Sequence, residues 1–186
     1  MSEFLLKENR DKLQRMSNMI RYNNEVHIHN ENVAEHSFYV AVYAMEICDI
    51  LDLSIYYRRL VVEKALIHDI HEIELSDIPH NVKKNIEGFE ERCISFEKEF
   101  NKDYFADVIY RIEGDKYEKL IESIVELADV ISVKQYAQQE VEFGNKKKFA
   151  PILDNSKVRI ADCLRRIKED ANEYQFKELE AMLGKD

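Results

Sequence analysis

Apolar residues recur along this chain at helical spacing, in blocks too long for strands. In residues 3–20, Phe4, Leu5, Leu6, Leu13, Met16 and Ile20 are separated by charged residues, which predicts a first amphipathic helix. The pattern then breaks at Asn23, Asn24, Asn30 and Asn32. A loop or short extended pieces are expected there, with Val26, His27, Ile28 and His29 alternating like a brief strand. Residues 33–51 are apolar almost all round, the signature of a helix in the middle of a bundle. Asn32 is placed to cap it, with Glu35 three residues on giving part of a capping-box pattern. Residues 56–69 form the next helix, and Ser76, Asp77 and Pro79 predict a loop. A charged amphipathic helix then runs from near His80 or Asn81 to Phe105, with Phe89, Cys93, Phe96 and Phe100 as its core stripe. Residues 106–116, with Gly114, read as a connection. Residues 120–143 form the last long central helix, ended by Gly144 and Asn145, and residues 158–183 give one or two closing amphipathic helices.

Composition narrows the fold class. Four Gly and two Pro leave few turn signals, so long helices with short connections are favoured over many strands, and an all-α compact bundle is expected. An apolar fraction of 45% over 186 residues suits one domain, taken as 1–186. The net charge of −10 argues against general affinity for nucleic-acid polymers or anionic membranes, while leaving room for a small phosphorylated ligand held locally. Cys48, Cys93 and Cys163 are scattered and odd in number, which excludes a disulfide framework or a zinc-thiolate site. No signal-like apolar run or membrane span is visible, so a cytoplasmic setting is the default expectation.

Three polar features stand against this apolar background. The stretch ALIHDIHEIELSD, residues 65–77, packs His68, Asp69, His71, Glu72, Glu74 and Asp77 behind a buried helix. Such a cluster is either a core histidine with a solvated acidic helix end or a site for metal and proton chemistry. Adjacent residues on a helix diverge, but His68 and Asp69 can still meet one cation if the helix ends there. His36 falls in the first turn of the apolar helix, where an imidazole must be hydrogen-bonded or bind something. Asp129 falls inside the apolar block of a later helix, where a carboxylate needs a cation or a metal. Taken together, His36, His68, Asp69 and Asp129 supply two imidazoles and two carboxylates, a set that suits a divalent metal such as Mn, Fe, Co, Ni or Zn. His27 and His29 are read as solvent-facing loop residues.

The blocks IRYNNEVHIHNENVAEHS, ALIHDIHEIELSDIPHNVKK and ELADVISVKQYAQQE together span most of residues 20–140. Their order and spacing resemble the H...HD...D signature of the HD-domain metal-dependent phosphohydrolases. Within that superfamily they resemble the small bacterial 5'-deoxynucleotidases, which dephosphorylate deoxyribonucleoside 5'-monophosphates. The resemblance implies an HD-type helical bundle and one divalent ion (Co, Mn, Zn, Fe, Ni or Mg) on His36, His68, Asp69 and Asp129. It implies that Glu72 and Asp77 lie beside the ion and are needed for hydrolysis, one managing protons and the other assisting or binding the sugar. It places Arg21 and Tyr22 on phosphate and sugar, and it suggests a homodimer acting on a nucleotide. Tyr22 stands where the family usually has Trp, which puts the exclusion of ribonucleotides in doubt. A nucleoside triphosphate triphosphohydrolase on the same site is the alternative enzyme, for which Lys83, Lys84 and Lys134 are the candidate extra cations. A helical binding protein keeping a metal for stability is the non-enzymatic one.

Overall fold

The computed structural model describes residues 10–76, 78, 82 and 85–183. The start of the predicted first helix, Asp77, Pro79, the predicted helix start at His80 or Asn81, and Lys83 and Lys84 therefore lie outside the described residues. The fold is all-α: α1 (Arg10–Arg15) runs into a 3-10 turn, and α2 (Val33–Ile50), α3 (Ile55–Ile67), α4 (Glu72–Leu75), α5 (Phe89–Ile112), α6 (Glu118–Glu142), α7 (Lys146–Asp170) and α8 (Glu173–Leu183) follow. Among the described residues there is no named strand, and the alternating Val26–Ile28 stretch pairs with nothing as a ladder. Extended pairing among the described residues is limited to one isolated antiparallel bridge between Ile20 and Asn32.

The N-terminus of α2 is fixed by the complete capping box. Asn32 Oδ1 accepts from the Glu35 amide at 2.9 Å, and Glu35 Oε2 accepts from the Asn32 amide at 3.0 Å. Two of the amides that a helix start leaves unpaired are thereby satisfied. From there α2, α3 and α6 bury Val40, Ala44, Ile47, Leu60, Val61, Ile124, Leu127 and Ala128 in the main core. Ile160, Cys163 and Ile167 of α7 and Phe176 and Leu179 of α8 close it. Leu127 has no exposed surface, and its truncation to alanine would cost about 2–5 kcal/mol. A smaller core of Met16, Val33, Ile67, Ile70, Phe100 and Ile109 packs where α2 begins and α3 ends.

Several helix boundaries differ from the sequence expectation, two of them for a packing reason. The charged helix α5 does not run unbroken from near His80 or Asn81: it starts at Phe89, after Gly88 in a left-handed conformation at φ +70°. α5 does not stop at Phe105 but bends there (φ −133°, ψ 35°) and continues to Ile112. The supposed connection supplies Ile109 to the smaller core and Ile112 to the main one, and Arg111 Nη2 pairs with Glu63 Oε2 at 2.9 Å. Likewise α7 starts at Lys146 rather than Val158, with the basic run in its first turn. Phe149, fully buried beside Tyr136 and Ala137, gives that early turn a core to join. A further difference is small and matters more: α3 ends at Ile67, two residues early, so His68 and Asp69 stand on the turn that follows.

Candidate active site

The end of α3 sets the geometry. Past Ile67 the backbone tightens, with the Ile70 amide donating to the Ile67 carbonyl at 3.2 Å and the Glu72 amide to the Asp69 carbonyl at 3.0 Å. This turn aims both His68 and Asp69 inward, with His68 Nε2 at 3.2 Å from Asp69 Oδ2. His68 Nδ1 donates to the Ala65 carbonyl at 2.7 Å, which orients the ring with Nε2 toward the carboxylates. From the first turn of α2, His36 is wholly buried, and its Nε2 lies 3.2 Å from Asp129 Oδ1 and 3.6 Å from Asp69 Oδ2. Its Nδ1 meets Ser132 Oγ of α6 at 3.1 Å.

Neither Nε2 has a hydrogen-bond partner, although both are buried and close to carboxylate oxygens. A buried polar atom left so is costly, and imidazole nitrogens meeting carboxylate oxygens at one point are an arrangement that a bound cation resolves. Ligand atoms of His36, His68 and Asp69 all lie within 4.8 Å of one another, a group that could hold a metal ion. Asp129 adjoins this group through His36, and its other oxygen, Oδ2, lies 3.5 Å from Arg159 Nη2 of α7. The donor set, imidazole nitrogen with carboxylate oxygen, fits a divalent first-row ion.

Electrostatics divide the two histidines. Burial, helped by the Arg21 charge, pushes His36 down to about 4, so it is neutral. Burial also opposes charge on His68, but the Asp69 carboxylate overrides it and pushes His68 up to about 9. Asp69 is held well below the usual carboxylate range, against burial, by His68 and then Arg21. Asp129 is held at about 2, again against burial, chiefly by His36.

Arg21 donates from Nη1 to Asp69 Oδ2 at 2.9 Å, and its Nε lies 3.4 Å from Glu31 Oε2. Backbone pairing brings these groups together, because the Arg21 amide donates to the Glu31 carbonyl at 2.9 Å. Glu31 is itself buried, and burial pushes its carboxyl up to about 7 despite Arg21. Tyr22 takes a left-handed conformation at φ +54°, which costs a tyrosine on the order of 1–3 kcal/mol. Its ring stacks on Tyr136 with centroids 5.3 Å apart and planes 3° from parallel, and meets the edge of Phe149. Glu72, the first residue of α4, is buried, and its charge helps hold Arg21 protonated.

Of the residues expected from sequence, the structure gathers His36, His68, Asp69, Asp129 and Arg21 into one cluster, with Tyr22 beside Arg21 and Glu72 near it. Lys134 is buried on α6. Glu31, Ser132, Arg159 and Glu140 escaped the sequence reading. Ser132 and Glu140 had a legible signal, since they stand three and eleven residues beyond Asp129 on nearly the same side of a helix. Glu31, inside a polar loop, had none.

No curated protein matches this sequence. Two solved structures are similar to it over nearly the whole chain. One is the cyanophage S-2L HD phosphohydrolase DatZ, bound to dA and one catalytic Zn2+ ion, with 15% identity and a TM-score of 0.65, covering 95% of this chain and 97% of that one. The other is an HD-domain phosphohydrolase (lin2634) from Listeria innocua, with 20% identity and a TM-score of 0.69, covering 97% and 90%. At such identities the likeness establishes the fold. The sequence model of a family described as 5'-deoxynucleotidase YfbR-like matches residues 10–179, and the chain belongs to that family.

Proposed function

We propose that this protein removes the 5'-phosphate from deoxyribo- and ribonucleoside 5'-monophosphates, using one divalent ion held by His36, His68, Asp69 and Asp129. The observation that carries the reading is the pair of buried Nε2 atoms, without hydrogen bonds, facing two carboxylates beside a buried arginine. When bound, the ion supplies Lewis-acid chemistry, polarising the phosphoryl group and lowering the pKa of water toward about 7. Arg21, anchored by Asp69 and Glu31, binds the equatorial phosphate oxygens and neutralises their charge. Glu72, buried next to the turn that carries His68 and Asp69, moves the proton between the attacking water and the departing 5'-oxygen. Asp77 assists it or binds the sugar hydroxyl. Tyr22 bears on the sugar, and because a phenol is smaller than an indole it leaves room for a 2'-hydroxyl.

Orthophosphate release from a panel of ribo- and deoxyribonucleoside mono- and triphosphates, with Mn, Co, Zn, Mg or no metal, tests this beside Asp69→Ala. Orthophosphate from monophosphates, lost in the variant, is expected. Tripolyphosphate from a triphosphate would reassign the reaction, and silence across the panel in metal-loaded protein would refute it. The exposed apolar stripe of α2, Phe38, Tyr39, Val42 and Met45, supports a homodimer, which sedimentation would check. Among the described residues no helix is long and apolar enough to cross a bilayer.

A further inference from the structure

Glu140 is a fully buried carboxylate with no part in the chemistry above. It stands on the side of α6 that also carries Asp129, Ser132 and Tyr136, about three turns beyond Asp129. Its bonds all lead away from the helical core. Oε1 accepts from the amides of Ile28 at 2.9 Å and His29 at 2.7 Å, and Oε2 accepts from Ile28 at 3.0 Å and from Asn145 Nδ2 at 2.8 Å. Neighbours on the same corner complete the grip. Asn145 Nδ2 donates to the Val26 carbonyl at 2.7 Å, Tyr136 Oη donates to the His29 carbonyl at 2.6 Å, and Lys148 Nζ pairs with Glu25 Oε2 at 2.6 Å.

Apolar burial does not hold this loop, because Val26 is 79% exposed and Ile28 57% exposed. Polar bonds to the α6–α7 corner hold its tip, while the Ile20–Asn32 bridge closes its base. Arg21 and Tyr22 lie between base and tip. Tyr22 keeps a left-handed backbone that a tyrosine holds only where its surroundings over-determine it. Asn145, His29 and Ile28, in that order, overcome burial and keep the Glu140 carboxyl below its ordinary range, so it stays an acceptor at neutral pH.

We propose that Glu140 is a positioning residue for phosphate and sugar recognition: it clamps the 22–31 loop and thereby fixes Arg21 and Tyr22 against the donor cluster. This rests on the reading of Arg21 and Tyr22 as substrate-side groups. Glu140→Gln keeps the shape and puts an amide donor where the loop presents N–H groups. The expected result is a KM for nucleoside monophosphates raised about tenfold, a shifted deoxyribose-to-ribose ratio, and kcat changed by less than about threefold. Divalent-ion affinity is expected within about twofold of wild type, and amide hydrogen exchange at Arg21, Ile28 and His29 is expected to quicken. Glu140→Asp, which keeps the charge at shorter reach, should recover part of the KM. Asn145→Ala loosens the same clamp from its other side and should raise KM in the same direction, which decides the matter if Glu140→Gln does not fold. Unchanged KM in folded variants, or kcat and ion affinity falling along with it, would overturn the proposal. If wild-type protein releases no phosphate from any nucleotide, the nucleotidase reading fails, and exchange at Arg21 then decides the clamp alone: protection unchanged in both variants overturns it.

Discussion

His36 and Glu140 are both wholly buried, both belong to polar clusters along one side of α6, and they differ in how completely their polar atoms are used. Every bond that Glu140 accepts comes from loop or corner N–H groups, at 2.7–3.0 Å. His36 Nε2 and His68 Nε2 sit 3.2 Å from carboxylate oxygens and bond to none of them. A saturated buried carboxylate fixes shape, whereas unsatisfied buried nitrogens mark a place prepared for something else. Burial alone would not have told these clusters apart.

The sharpest way to break that contrast is at Asp69, whose Oδ2 faces both Nε2 atoms and Arg21. Asp69→Ala should lower phosphate release at least about a thousandfold, beyond the 10–100-fold typical of a group that merely orients a ligand. Far-UV circular dichroism should stay helical, since the main core lies elsewhere. Turnover surviving in a folded variant would show that the cluster is not the catalytic centre.

Proton linkage offers a second handle, with a chelator present to remove any ion. His68, raised to about 9, contributes stability that is complete below an unfolded value of 6.5 and is lost as pH rises through 9. His36, lowered to about 4, works the other way: between 4 and 6.5 the unfolded chain takes up a proton that the folded chain refuses, so stability falls with falling pH. Glu31, raised to about 7 from 4.5, keeps a proton that the unfolded chain has lost and so offsets His36 between 4.5 and 6.5. Stripped protein should therefore stay about level from pH 5 to 6.5 and then lose at most about 1.4 kcal/mol per pH unit for each titrating group as pH rises toward 9. Denaturant titrations from pH 5 to 8.5 would check it. A profile level or rising between pH 7 and 8.5 would mean that His68 carries no raised value, and a steep decline already between pH 5 and 6.5 would mean that His36 carries no lowered one. With the ion present the alkaline limb should flatten, because coordination at His68 requires the proton to leave.

Much of this was legible in the chain. The 3.6-residue pattern of residues 33–51 and 120–143 gave two of the central helices, and polar residues inside them gave His36 and Asp129. The HD pair was legible as a motif, but its convergence depends on α3 ending at Ile67, which the continuous apolar pattern did not show. Helix stops are set by tertiary contacts as much as by local signals, and α5, continuing past Phe105 to bury Ile109 and Ile112, shows the same limit. The 22–31 loop was hardest, since its partners lie more than 100 residues away and no local pattern encodes them.

Ser132→Ala removes the partner of His36 Nδ1 and leaves the imidazole in place. An outer partner of this kind is worth about 10–100-fold in ion affinity or activity, and calorimetric titration with Zn or Mn would read the loss. On the saturated side, Tyr136→Phe deletes one hydroxyl and its 2.6 Å bond to the His29 carbonyl while keeping the ring on which Tyr22 stacks. A single neutral hydrogen bond contributes about 1 kcal/mol, and the Glu140 bonds to Ile28 and His29 remain to hold the loop tip. The expected effect is thus the smallest of the set: unfolding free energy lower by about 1 kcal/mol and ion affinity unchanged. KM should rise less than in Glu140→Gln, because the charged acceptor bonds to two consecutive amides where the hydroxyl bonds to one carbonyl. If Tyr136→Phe instead raised KM as much as Glu140→Gln, the Tyr136 hydroxyl, rather than the buried carboxylate, would be what holds the loop tip and with it Tyr22 in place.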